Sequence, residues 1–93
     1  MREIEINVKK DISGLAGFEL GKALYNNHNL DDIDTKEKAL IIFPNTVEKV
    51  AASFVQGFFA GFIEKKGKFN AKQDIIIKMK NKELEDTFYE KIY

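Results

Sequence analysis

Residues 50–62, VAASFVQGFFAGF, place four phenylalanines in a segment without charge. Apolar residues recur there at spacings of three and four, which predicts a helix over residues 52–66 that buries most of its circumference. Ser53, Gln56 and two glycines interrupt the run, and it is shorter than the roughly 20 residues that a membrane-spanning helix needs. We therefore expect a central buried helix and no membrane span.

Strand patterns alternate with helical patterns along the rest of the chain. The residues of REIEINVK alternate between polar (charged or amide) and aliphatic side chains, which predicts a half-buried strand over 2–9. ALIIFP and DIIIKMK are continuous apolar runs, typical of strands buried on both faces, and predict strands over 39–43 and 74–79. Helical spacing predicts two further helices, over 15–27 and 82–92.

Several polar and glycine residues stand where helix ends are expected. Ser13 and Asn81 can cap the first and last helices, and Gly67 can stop the central one. The order β-α-β-α-β-α indicates one small α/β domain over residues 1–93, with a mainly parallel sheet packed by helices and strand 39–43 in its centre.

Composition narrows the classes of function. Fifteen basic and fifteen acidic residues give a net charge of zero, so we expect no nucleic-acid partner. The chain has no cysteine, which excludes disulfides, thiolate nucleophiles and iron–sulfur clusters. The N-terminal segment lacks the apolar region of a signal peptide, and we expect a cytoplasmic protein that is a monomer or a weak dimer.

Few residues have the pattern of a catalytic or metal site. His28 is the single histidine and lies in a polar loop without a second nitrogen ligand, so a solvated loop residue is the preferred interpretation. The nearby DDID lacks the glycine and the distal glutamate of a calcium loop. No glycine-rich phosphate loop is present. We expect no cofactor, no metal and no enzymatic activity.

Two features of the central helix each allow two interpretations. Ser53 stands where an N-cap belongs, but phosphate on this residue would also be stabilised by a helix N-terminus. Gly57 and Gly61 give the helix one side of small residues. This side predicts either close contact between the helix and the sheet, which we favour, or a groove for a partner.

The segment ALIIFPNTVEKVAASFVQGFFAGF, followed by IIIKMKNKELEDTFYEKI, resembles bacterial STAS-like domains of unknown function, which are relatives of the anti-sigma-factor antagonists. The residues that match are Phe43, Ser53, Phe54, Phe58 and Asn81. Ile42 departs from the family, in which an acid is common at this position. The resemblance implies a STAS-like fold, a candidate phosphoacceptor at Ser53 and an ATP-binding histidine-kinase-like regulator as the partner.

These observations together predict a regulatory protein–protein interaction module that docks its partner through the 44–57 loop and helix start. The alternatives are a small-molecule or nucleotide-binding domain that uses the same edge, or an inhibitor encoded by a mobile element. The carboxyl ends of parallel strands meet helix N-termini at this edge, where α/β sheets usually bind ligands. The candidate partner surface consists of Thr46, Val47, Lys49, Ser53, Gln56 and Gly57.

Overall fold

A computed structural model describes residues 1–92 of the chain. A 3₁₀ turn at Leu30–Asp32 follows the first helix. The elements, in chain order, are β1 (Arg2–Glu5), β2 (Gly14–Leu15), α1 (Phe18–Asn27), β3 (Ala39–Ile42), β4 (Lys49–Val50), α2 (Ala52–Lys66), α3 (Lys68–Asp74), β5 (Ile75–Lys78) and α4 (Lys82–Glu90).

The main sheet has the strand order β1-β3-β5, and all its strands are parallel. β3 is its central strand, as the apolar run ALIIFP predicts. A second, two-stranded parallel sheet joins β2 to β4. The mixed α/β class and the parallel main sheet are thus confirmed, whereas the second sheet was not predicted.

The core lies between the main sheet and the helices. Its centre is a cluster of aromatic rings that joins the residue after β3 to α2 and α4, in which Phe43 contacts the rings of Phe54, Phe58 and Phe88. All four phenylalanines of α2 are at most 1% exposed. The predicted buried helix over 52–66 is confirmed, with the same bounds.

The first strand and the first helix are shorter than predicted. The predicted strand 2–9 ends at Glu5. After this residue only the Ile6 N–H bonds to the neighbouring strand β3, at the Ile42 carbonyl. The predicted helix 15–27 begins at Phe18, because Gly14 and Leu15 pair with β4 instead. Gly17 precedes the helix with φ 103°, a conformation that favours glycine. Ser13 therefore does not cap α1.

Two of the residues predicted at the ends of the later helices, Gly67 and Asn81, do lie there. Gly67 stops α2 with φ 83°, and its N–H donates to the Ile63 carbonyl at 2.8 Å. Asn81 caps α4, because its Oδ1 accepts from the Leu84 N–H at 2.8 Å. The short helix α3 was not predicted. Ala71 is its one buried residue, so it has no apolar stripe that a sequence pattern could show.

The inner strands are buried on one face only, which corrects the prediction of burial on both. In β3, Ala39 and Ile41 are buried while Leu40 and Ile42 are half-buried. In β5, Ile75 and Ile77 are buried while the residues between and after them are exposed. The helices thus cover one face of the main sheet and leave the other open.

Candidate functional site

An open groove with a volume of about 760 Å³ lies between the β2–β4 sheet and α4. We call it the groove. One wall is formed by residues 14–16 and 48–51, and the other by α4 with the residues directly before and after it. The α4 side contributes Asn81, Glu83, Leu84, Thr87 and Lys91.

The backbone wall of the groove is held by hydrogen bonds between two distant segments. The Ser13 carbonyl accepts from the N–H groups of Glu48 and Lys49, at 2.7 and 3.2 Å. The Leu15 carbonyl accepts from the Ala51 N–H at 2.8 Å. These bonds keep residues 48–51 extended until α2 begins. The wall is therefore a fixed strand edge and not a free loop.

Two side chains of the C-terminal segment hold α4 in place. The Lys91 ammonium donates to the Val50 carbonyl at 2.6 Å, across the end of the groove. The Tyr89 hydroxyl donates to the Ile75 carbonyl at 2.8 Å and accepts from the Ile77 N–H at 2.9 Å. Burial raises the pKa of Tyr89, so the phenol stays neutral and keeps its proton to donate. The outer edge of β5 is thereby occupied by α4.

The groove combines an apolar interior with charges at its margin. Leu15 and Val50 are buried beneath it, and Leu84 is half-buried on the opposite wall. Glu48, Lys49 and Glu83 are exposed around it. Such a surface can hold an apolar group inside and orient charged groups at its margin.

Ser53 does not cap α2, which corrects one of the two interpretations of this residue. The N-cap position falls on Ala51, whose extended backbone continues from β4, and no side chain caps the helix there. Ser53 lies inside the first turn, and its Oγ accepts from the Gly17 N–H at 3.0 Å. Its hydroxyl thus ties the start of α2 to the start of α1. The side chain is exposed.

The structure separates the residues of the predicted partner surface. Lys49 lines the groove. Thr46 lines a different cavity, of about 450 Å³, near the end of β1, and Gln56 lines a third, of about 370 Å³, on α2. Val47 is 0% exposed and Gly57 is buried, so neither can present a side chain to a partner.

His28 is held by hydrogen bonds at both ring nitrogens. Nδ1 lies 2.8 Å from the Leu24 carbonyl, and Nε2 accepts from the Asn7 N–H at 2.9 Å. A carbonyl can only accept, so Nδ1 carries the proton and the ring is neutral. The histidine links the end of α1 to the segment after β1 by these two hydrogen bonds. This corrects its interpretation as a solvated loop residue. Among residues 1–92, no three His, Cys, Asp or Glu side chains are grouped to hold a metal ion.

Sequence reasoning missed the contribution of α4 to the groove. The stripe Leu84, Phe88 and Ile92 predicts a helix with one buried side. It does not show that Thr87 and Lys91 will stand opposite β4. That placement depends on contacts such as Lys91 to Val50, which join residues 41 positions apart.

No protein-family model matches the chain, and no curated protein or solved structure matches it. Within residues 1–92, no helix has both the length and the apolar character required to cross a bilayer.

Proposed function

We propose that this domain is a non-enzymatic recognition module of STAS-like type that binds a segment of a partner protein in the groove. The observation that carries the proposal is the position of residues 48–51, which belong to the predicted recognition segment and form one wall of the groove. The partner surface therefore moves away from Val47 and Gly57 and toward α4.

The chemistry of the groove favours recognition over catalysis. Two of the polar groups that line the groove already have structural roles, since Asn81 Oδ1 caps α4 and the Lys91 ammonium holds the Val50 carbonyl. The exposed charges at the margin alternate in sign, with Glu48 beside Lys49 on one wall and Glu83 on the other. An apolar side chain flanked by charged residues is the peptide feature that fits this pattern.

Photo-crosslinking tests the proposal without knowledge of the partner. A photoreactive side chain is introduced at Thr87, inside the groove, and in a control variant at Lys22, which is exposed on α1. We expect irradiation in the source cells to give a defined protein adduct at position 87 that the Lys22 variant does not give. Leu84→Glu, which places a charge in the groove, should abolish the adduct. Equal adducts at positions 87 and 22, or none at 87, contradict the proposal.

The volume of the groove supports a second candidate, a small-molecule or nucleotide ligand. Ligand sites usually enclose about 300–1,000 Å³, and the groove lies within that range. A thermal-shift screen with nucleotides and common metabolites separates the two candidates. A rise of several degrees with one ligand, removed by Leu84→Glu, would favour the small molecule.

The STAS-like resemblance adds a proposal for regulation. A kinase-like bacterial partner would phosphorylate Ser53, which is exposed and lies in the first turn of α2. A phosphate there would meet free N–H groups of the helix start and would add nearly two negative charges to the surface. Ser53→Asp should then weaken binding of the crosslinked partner while Ser53→Ala retains it. Equal partner binding by the two variants would argue against the switch.

A further inference from the structure

The open face of the main sheet has a definite arrangement of side chains. Strand register places residues of β1, β3 and β5 side by side, and every second residue along a strand shares a face. Two rows form this face, which we call the outer face: Glu3, Leu40 and Ile76, then Glu5, Ile42 and Lys78.

The outer face is apolar in the middle and uncovered. Leu40 and Ile42 on the central strand are half-buried, and Ile76 beside them is 38% exposed. None of the three belongs to the hydrophobic core or packs against it. Sheets made only of parallel strands are almost always covered on both faces, because both faces carry apolar side chains. This sheet lacks its second cover within residues 1–92.

Charges of opposite sign flank the apolar centre. Glu3 and Glu5 stand on β1 and Lys78 stands on β5. Within residues 1–92, none of these three side chains forms an ion pair. The outer face therefore has an acidic edge, an apolar centre and a basic edge.

This arrangement is complementary to itself under one two-fold axis. If the axis runs along the strands, β1 of one copy lies over β5 of the other. Glu5 of each copy then faces Lys78 of the other copy, which gives two such pairs. Leu40 and Ile42 face the same residues of the other copy. If the axis runs across the strands, β1 lies over β1 and the glutamates face each other. Isologous contacts require such self-complementarity, and the charges select the first geometry.

We propose that a second copy of this chain covers the outer face, giving a two-fold dimer with the strands of the two sheets aligned. Two sheets packed in this way lie about 10 Å apart, with their strands within about 30° of each other. Three strands of four residues span only about 14 by 13 Å. This is less than the roughly 800 Å² per partner of a standard interface, so the dimer is weak and concentration-dependent. The inference concerns a different surface from the groove and does not depend on the proposed function.

Charge reversal tests the geometry directly. Glu5→Lys places lysines against Lys78 at both ends of the two-fold contact, and Lys78→Glu places glutamates against Glu5. We expect each variant alone to raise the dimer dissociation constant at least about tenfold, because two attractive pairs per dimer become repulsive. In an equimolar mixture of the two variants both pairs are again opposite in charge, so a heterodimer should form with an affinity near that of the wild type. Sedimentation equilibrium measures all three samples.

Lys22→Glu is the control of matched charge, because Lys22 is exposed on α1, in the helical layer on the opposite side of the sheet. It should dimerise as the wild type does. Circular dichroism verifies that each variant is folded. A wild type that stays monomeric at millimolar concentration overturns the proposal. So does a pair of single variants that dimerise normally, or a mixture that fails to form the heterodimer while its folded components are intact.

Discussion

The ammonium group of Lys66 lies 2.8 Å from the Thr35 carbonyl, 2.7 Å from the Glu37 carbonyl and 3.3 Å from the Asp74 carboxylate. Its side chain is 1% exposed, so all three of its N–H donors are used away from water. The lysine joins the end of α2 to the 35–37 loop and to the end of α3. In the sequence it stands in a run of lysines that follows Glu64, whereas its carboxylate partner, Asp74, lies eight residues further on, beyond the turn at Gly67.

Lys66→Met tests this role, since methionine retains most of the apolar stem and removes the charge. We expect a loss of about 2–4 kcal/mol in the free energy of unfolding, because two carbonyls and a carboxylate lose their common donor. Lys68→Met, two residues further on at an exposed position, is the control and should change little. Urea denaturation measures both variants. Equal midpoints would show that water replaces the ammonium without cost.

Ser53 gives a second prediction at this scale. Ser53→Ala removes the acceptor of the Gly17 N–H. We expect a loss of about 0.5–1 kcal/mol, at the lower end for a hydrogen bond because this one is exposed. Ser53→Asp supplies a carboxylate acceptor and should be close to wild type in a thermal melt. A Ser53→Ala variant as stable as wild type would contradict the link between α1 and α2.

Buried Tyr25 and half-buried Tyr89 predict a loss of stability at high pH. Burial, and for Tyr25 also the neighbouring Asp31 carboxylate, raises the pKa of each phenol above its ordinary value of 10.0. The folded state therefore binds these protons more tightly than the unfolded state does. Their contribution to stability is complete below pH 10 and is lost as the pH rises above it. Urea midpoints measured from pH 8 to pH 11.5 should fall above about pH 10, and less steeply in Tyr25→Phe. An unchanged slope in that variant would contradict this origin.

At the scale of elements, α1 and α2 approach each other through glycines. A Cβ on Gly57 would collide with the Phe18 carbonyl, and one on Gly21 would collide with the Phe54 carbonyl. Both obstacles are backbone, so neither can rotate away. The glycine side of α2 is closely packed inside the domain, as favoured, but its neighbour is the first helix and not the sheet, and a docking groove on that side is wrong.

Gly57→Ala should therefore destabilise the domain although alanine is the better helix former. We expect a net cost of about 1–3 kcal/mol, because the helices must move apart to admit the methyl group. Gly14→Ala is the matched control, since a Cβ there lies 4.0 Å from its nearest neighbour, the Lys49 Cβ. A chemical denaturation midpoint at or above wild type for Gly57→Ala would contradict the packing.

The sequence predicts well those elements in which apolar residues recur at a regular spacing. The bounds of α2 and the place of β3 follow from the spacing of apolar residues and from Gly67 and Pro44, which end these elements. The β2–β4 sheet has no such signature, because two residues per strand are too few to show alternation. The groove wall depends on that sheet, so the sequence does not show it, although the sequence does predict the parallel main sheet.

At the scale of the whole molecule, the continuous apolar runs of β3 and β5 predict burial on both faces, whereas the helices of one chain cover only one. Leu40, Ile42 and Ile76 are apolar without being part of the core. Both observations are explained if a second molecule covers the face of the sheet that the helices leave open. The pattern in the sequence is then right for the dimer and wrong for the single chain.

Dimerisation through the outer face predicts that stability depends on protein concentration. Association that requires the folded state stabilises it by mass action, so the midpoint of thermal unfolding should rise by a few degrees between about 10 µM and 1 mM protein. Lys78→Glu should show a much smaller rise over this range, because its repulsive pairs weaken association. The equimolar mixture with Glu5→Lys should regain the concentration dependence. A wild-type midpoint that is constant over this range of protein concentration would contradict dimerisation through the outer face.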